Sequence, residues 1–154
     1  MIEFKRALQA KGKSLPQAPV PVGRYHAVIN AGSLLFISGQ LPFRNGTLVY
    51  RGQLGNNLTV KEGAAAAELC ALNLLSQIEK YLEHHHKRLK QIIKIEGFIC
   101  CTESFMDHAE VLDGASMLLS DILLDKAGHV RAVLGCNSLP LGAAVEIAAV
   151  VGID

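Results

Sequence analysis

Thr59-Val60-Lys61-Glu62 opens the longest periodic stretch of the chain, and that stretch constrains what the remainder can be. The spacing is that of a capping box, in which the Thr hydroxyl and the Glu carboxylate each satisfy a backbone N–H left without a partner at a helix start. Behind it, Ala66, Leu69, Cys70, Leu72, Asn73, Leu75, Ile78 and Leu82 recur mostly at i, i+3 and i+4, with Glu68, Gln77 and Lys80 at polar positions. A long helix with so wide an apolar face must lie against something, and the strand-like segments on both sides of it predict a sheet.

Before this helix, residues 2–10 read as a short amphipathic helix that stops ahead of Gly12 and the stretch Leu15-Pro16-Gln17-Ala18-Pro19-Val20-Pro21, whose prolines force extended backbone. Residues 25–29 and 34–38 read as strands of a hairpin around Asn30-Ala31-Gly32-Ser33. Gly39-Gln40-Leu41-Pro42 ends the second strand, and a short strand follows near residues 47–50. After the long helix, residues 91–101 are rich in β-branched side chains and alternate charged with apolar residues, which predicts a strand. Asp107-His108-Ala109-Glu110 has cap-to-N3 spacing and opens a second helix whose apolar face is Val111, Ala115, Leu118, Leu119 and Ile122; Gly114 should weaken it only modestly. Residues 124–128 lead to two closing strands. The order β-β-(β)-α-β-α-β-β predicts an α+β fold, a mixed sheet with two long helices on one face. The apolar strands favour a subunit interface on the uncovered face. Residues 1–18 read as an N-terminal extension carrying the short helix, and residues 19–154 as a single domain.

Charge narrows the function classes. The 15 Lys and Arg nearly balance 14 Asp and Glu, so there is no overall attraction to nucleic acid or to an anionic membrane. The one basic cluster, Lys87-Arg88-Leu89-Lys90 with Lys94, follows Glu83-His84-His85-His86 and suits the negative end of the long helix. Three consecutive histidines point in different directions and no H-x-x-x-H pair accompanies them, so no metal site is expected. Cys70, Cys100, Cys101 and Cys136 lack C-x-x-C spacing and read as reduced residues of a cytoplasmic protein. The first residues lack the apolar stretch of a secretory signal, and no apolar run is long enough to span a bilayer.

Against this background, Arg131 and Glu146 stand out. Each is the single charge in an apolar, strand-like run, and the two runs are separated by Leu139-Pro140-Leu141-Gly142. An ion there needs a partner or a ligand, because desolvating an unpaired charge costs several kcal/mol. If the runs form a hairpin with an even loop, Glu146 lies opposite Gly135, four positions from Arg131 and on the same face; an odd loop separates the two. Four strand residues span roughly 13 Å, too far for direct contact but suited to two long side chains converging on a small ligand. Equally open is a structure in which each finds another partner or faces water at a sheet edge.

The motifs in order carry a family resemblance. Gly23-Arg24-Tyr25-His26-Ala27-Val28, Leu35-Phe36-Ile37-Ser38-Gly39-Gln40-Leu41-Pro42 and Arg131…Leu139-Pro140…Val145-Glu146-Ile147 together resemble the Rid family (YjgF-like, reactive intermediate deaminases) across about residues 19–151. Gly114-Ala115-Ser116 in the second helix resembles a longer YjgF-like subgroup. The resemblance implies a chorismate-mutase-like fold assembled as a homotrimer, with ligand clefts between neighbouring subunits and no cofactor. In its deaminase members the Arg matching Arg131 grips the substrate carboxylate and the Glu matching Glu146 positions or activates water. The residues matching Tyr25, Ser38 and Gly39 line the same cleft. A position in the second helix, commonly Asn, falls at Asp113 or Gly114, which makes Asp113 a substrate-binding candidate.

Departures from the family pattern bear on substrate. A Cys common two residues after the Arg is Val133, the acidic residue often two positions after the Glu is Ala148, and the frequent Pro before the Tyr is Arg24. The function this resemblance implies is hydrolysis of a reactive 2-imino acid to a 2-oxo acid and ammonium. The alternatives are a non-catalytic trimeric binder of small carboxylate metabolites and an endoribonuclease. Balanced charge and the lack of an evident histidine pair, with only His26, His108 and His129 to propose, argue against the last.

Overall fold

The computed structural model describes residues 3–154; Met1 and Ile2, the latter part of the expected first helix, lie outside the described residues. Among the described residues, seven strands and three α-helices follow one another as α1 (Glu3–Ala10), β1 (Val28–Ala31), β2 (Leu34–Gln40), β3 (Phe43–Arg44), β4 (Thr47–Leu48), α2 (Val60–His85), β5 (Leu89–Cys100), α3 (His108–Leu123), β6 (Val130–Cys136) and β7 (Val145–Ile153). The mixed sheet runs β1-β2-β7-β5-β6, with β5 and β6 parallel and the other pairs antiparallel, while β3 and β4 form a separate small hairpin. α2 and α3 cover one face of the sheet, which is the expected α+β arrangement.

The capping box forms as its spacing predicts. Thr59 Oγ1 accepts from the Glu62 N–H at 3.2 Å, and Glu62 Oε2 accepts from the Thr59 N–H at 2.8 Å. α2 is buried more widely than a helix lying on a sheet requires, through Asn73, Ser76 and Gln77 as well as its leucines. Two segments outside the sheet are the cause: the proline-rich segment crosses over the helix and accepts hydrogen bonds from Ser76 Oγ at the Pro16 carbonyl (2.8 Å) and from Gln77 Nε2 at the Pro19 carbonyl (2.7 Å), and Asn73 Nδ2 donates to the carbonyls of Leu41 (3.0 Å) and Phe43 (2.8 Å). Gln77 is therefore an interior clamp, contrary to its expected place on the polar face. At α3 the helix begins where predicted, after Asp107, but the Asp107 side chain makes no capping hydrogen bond.

The sequence reading of the last two strands needs correction. β6 and β7 do not pair; β5 lies between them. A parallel β5–β6 pair requires a crossover, which α3 supplies. Beyond Cys136 the chain then crosses the end of β5 through a 3₁₀ turn at Pro140–Gly142, where Leu141 adopts φ 60°, and β7 returns on the far side. Two bonds brace this crossing: Gly52 N–H donates to the Gly142 carbonyl (3.2 Å) and Ala144 N–H donates to the Tyr50 carbonyl (3.1 Å). The Leu-Pro-Leu-Gly string thus serves a longer connection and no tight hairpin.

Register then fixes which face each charge occupies. Arg131 shares a row with Ile95 and Ala149, both buried beneath the helices, whereas Glu146 shares a row with Phe98 and Leu134 on the uncovered face. Within one protomer the two groups therefore point to opposite sides of the sheet, three rows and two strands apart, or about 10 Å in each direction. The uncovered face is apolar, with Ile29, Phe36 and Leu134 exposed by 50, 44 and 61%, and Lys94 pairs with Glu96 at its centre (2.5 Å).

Candidate functional site

Glu146 is the charged group whose surroundings are least satisfied. It projects from β7 beside an irregularity in β2, where Ile37 pairs with Ala149 and Gln40 with Ile147, leaving Ser38 and Gly39 to span a single step of the partner strand. Such a bulge re-aims side chains and opens the ladder. Gly39 creates the space for the acid: a methyl group placed there would overlap Glu146 Oε1 and lie 2.8 Å from its Cδ. The Glu146 carboxylate is half-buried and makes no hydrogen bond or ion pair among the described residues. Burial raises its pKa above the ordinary 4.5. A carboxylate that is costly to desolvate and has no donor to hold it is primed to accept a proton from water.

Around it lies a cleft of about 290 Å³ lined by Tyr25, Ser38, Gly39, Gln40, Gln77 and Glu146, with the proline-rich segment as one wall. That volume suits a small metabolite. Ser38 Oγ donates to the Ala27 carbonyl (3.2 Å), which steadies the bulge, and Tyr25 is half exposed at the rim. Gln40 and Gln77 were not expected here. Gln77 Nε2 donates to Gln40 Oε1 (3.4 Å) and Gln40 Nε2 donates to the Ser38 carbonyl (3.0 Å), so the two buried amides tie α2 to the bulge. The signal available in the sequence was a Gln within the mostly apolar stretch 69–78. Gly39→Ala should leave the fold intact and displace Glu146 from its seat, with melting temperature little changed and ligand binding in the cleft lost; unchanged ligand titration would refute that geometry.

Arg131 sits elsewhere, on the edge strand β6, held against α3. Its Nη1 contacts Asp113 Oδ1 at 2.8 Å and donates to Ser116 Oγ at 3.0 Å, while Nη2 donates to the Ala109 carbonyl at 3.3 Å. Ser116 continues to His129 Nε2 (2.9 Å), and His129 Nδ1 lies 2.6 Å from the Ala127 carbonyl. Because that carbonyl can only accept, Nδ1 carries the proton and Nε2 accepts from the Ser116 hydroxyl. Of the six expected site residues, the fold gathers Tyr25, Ser38, Gly39 and Glu146 in one cleft and places Arg131 with Asp113 on the other side of the sheet. Ser116, part of the Gly-Ala-Ser string, is the additional contact.

The remaining candidates lie apart. His26 is exposed before β1, and His108, at the start of α3, contacts Cys101 Sγ at 3.5 Å. His84 and His85 occupy the last turn of α2, and His86 closes it in the left-handed conformation. Among the described residues, no group of three or more His, Cys, Asp or Glu could hold a metal ion, and no helix is long and apolar enough to cross a membrane. A larger cleft of about 1040 Å³ between α1, the end of α2 and the 3₁₀ turn after α3 has Phe4, Leu82 and Leu123 among its walls. It contains none of the six expected site residues, and two of its cations, Arg88 and Lys90, are paired with Asp154. The smaller cleft is the one that gathers Tyr25, Ser38, Gly39 and Glu146.

Comparison with known proteins places the fold in a family. The family model described as "YjgF/chorismate_mutase-like, putative endoribonuclease" matches residues 5–150. Protein TCP17 of Trypanosoma cruzi is 38% identical over 148 residues, covering 96% of this chain and 92% of its own. Among solved structures, Atu1372 of Agrobacterium tumefaciens, described as of unknown function, superposes with a TM-score of 0.90 at 35% identity, over 98% of this chain and 92% of its own. A Shewanella oneidensis protein described as "a putative endoribonuclease" gives 0.92 at 34% identity, over 97% and 98%. Sequence motifs, sheet order and these likenesses converge: the chain belongs to the YjgF/RidA-like (Rid) family.

Proposed function

We propose that this protein hydrolyses small 2-imino acids to 2-oxo acids and ammonium in a cleft shared between protomers of a homotrimer. The observation that carries the reading is the half-buried, unpartnered Glu146 carboxylate seated in the space left by Gly39. Glu146 takes a proton from water as the water oxygen bonds to the carbon of the protonated imine, and the carboxyl group returns that proton to nitrogen; the carboxylate then takes the second proton from the new hydroxyl as the C–N bond breaks, and the departing ammonia picks it up to leave as ammonium. A protonated imine and one water thus become a ketone and ammonium, with charge conserved. The imine carbon is already electrophilic, so orientation and proton transfer suffice without a cofactor.

Arg131 supplies the carboxylate grip, since a planar guanidinium binds a carboxylate through parallel hydrogen bonds. Its position on the opposite face means that it must act on the cleft of a neighbouring protomer. The apolar uncovered face, with Phe36 and Leu134 exposed, favours burial against other copies.

Complementation tests both the residues and their division between subunits. Arg131→Ala and Glu146→Gln proteins, each inactive on freshly generated imine, are unfolded together and refolded as mixed trimers. About one quarter of the clefts then combine an intact Glu146 with an intact neighbouring Arg131, so about a quarter of wild-type turnover should return. Full activity of either variant alone, or none in the mixture, would reject the proposal.

A further inference from the structure

Arg131 is not an unoccupied anion receptor. Its guanidinium already faces the carboxylate of Asp113 at 2.8 Å, with Ser116 Oγ and the Ala109 carbonyl taking further donors, and all three acceptors belong to α3. The side chains of Arg131 and Asp113 remain 27 and 52% exposed, so the pair is accessible to an incoming molecule. An ion pair this exposed is weak and readily rearranged. To a simple carboxylate the pair presents almost no net charge, and the ligand must compete with Asp113 for the same nitrogens. A molecule carrying a cationic nitrogen next to its carboxylate meets no such competition: its carboxylate engages Arg131 while its nitrogen engages Asp113.

We infer that Asp113 is a specificity-determining residue that makes the Arg131 subsite select zwitterions, 2-amino or protonated 2-imino acids, over 2-oxo acids. This rests on the cleft chemistry proposed above and extends it to the substrate class. It also separates substrate from product, because hydrolysis removes the cationic nitrogen and leaves a plain anion facing a neutralised guanidinium. Product release follows from the same pair that admits the substrate.

The test uses two stable probes of matched size, 2-aminobutanoate and 2-oxobutanoate, titrated into the assembled wild-type protein, Asp113→Asn and Arg131→Ala. Asp113→Asn keeps the shape of the side chain at an exposed helix position and removes its charge. Wild type should bind the amino acid more tightly, and Asp113→Asn should shift the ratio of the two Kd values by up to about fivefold toward the oxo acid. Arg131→Ala should lose both ligands. An unchanged ratio in Asp113→Asn, with binding lost in Arg131→Ala, overturns this inference alone. Wild-type binding of both probes by Arg131→Ala overturns the reading beneath it.

Discussion

Replacing Gly114 with alanine should destabilise the protein by about 3 kcal/mol and lower its melting temperature by about 10 °C. On propensity alone the sign would be opposite, since alanine is worth up to about 1 kcal/mol over glycine inside a helix. The reason lies on the neighbouring helix. A Cβ at Gly114 would overlap the carbonyl oxygen of Ala64 and lie 2.7 Å from its carbon and 2.9 Å from its Cα. These are backbone atoms of α2, which no rotamer change can move aside, so α2 and α3 would have to separate. They could not do so locally, because Leu112 of α3 fills the space above Gly97 in the sheet, and Gly63 of α2 closes on Leu54 and Val111. Thermal unfolding of Gly114→Ala decides the matter: a melting temperature equal to or above that of wild type would show that the helix contact is looser than described.

Glu146→Gln is expected to lower imine turnover by about 10³-fold while raising stability at neutral pH. The first effect follows from the proposed proton transfer, because an amide of the same shape can neither take a proton from water nor return it to nitrogen. The wild-type rate should fall as acid protonates Glu146, at a pH above that of an ordinary glutamate because burial raises its pKa from 4.5. The second effect follows from linkage. With a folded-state pKa above the unfolded one, the folded protein holds the extra proton between the two values. The stability associated with protonated Glu146 is fully present below about pH 4.5 and is lost as pH rises through the folded pKa. The amide side chain of Glu146→Gln carries no such charge, so the variant should match wild type near pH 4 and exceed it at about pH 7 to 8. Melting curves at both pH values, alongside the turnover assay, check the two effects together. A variant less stable than wild type at about pH 8 would mean that the carboxylate has a favourable partner in the assembled protein.

Much of the fold was legible because its signals are local. The capping box of α2, the hairpin of β1 and β2 and the strand character of β5 each depend on residues a few positions apart, and the structure contains all of them, with β1 shifted from the expected 25–29 to Val28–Ala31 so that Asn30 and Ala31 belong to the strand and not to the turn. The site was legible in part. Tyr25, Ser38, Gly39 and Glu146 meet as the family motifs suggested, whereas Gln40 and Gln77 were hidden because a buried polar side chain announces itself only through partners distant in sequence. Gly114 was legible only in part for the same reason: its cost within its own helix is readable, but its necessity depends on Ala64 in another.

The amino-acid order by itself determined the main strands and helices, the cap of α2 and the two isolated charges near the end of the chain. Only the tertiary structure decided that β5 separates the two closing strands, and with that insertion the faces of Arg131 and Glu146. Strand partners are chosen by burial of whole faces and by the crossover that a parallel pair demands, neither of which resides in the few residues between two strands.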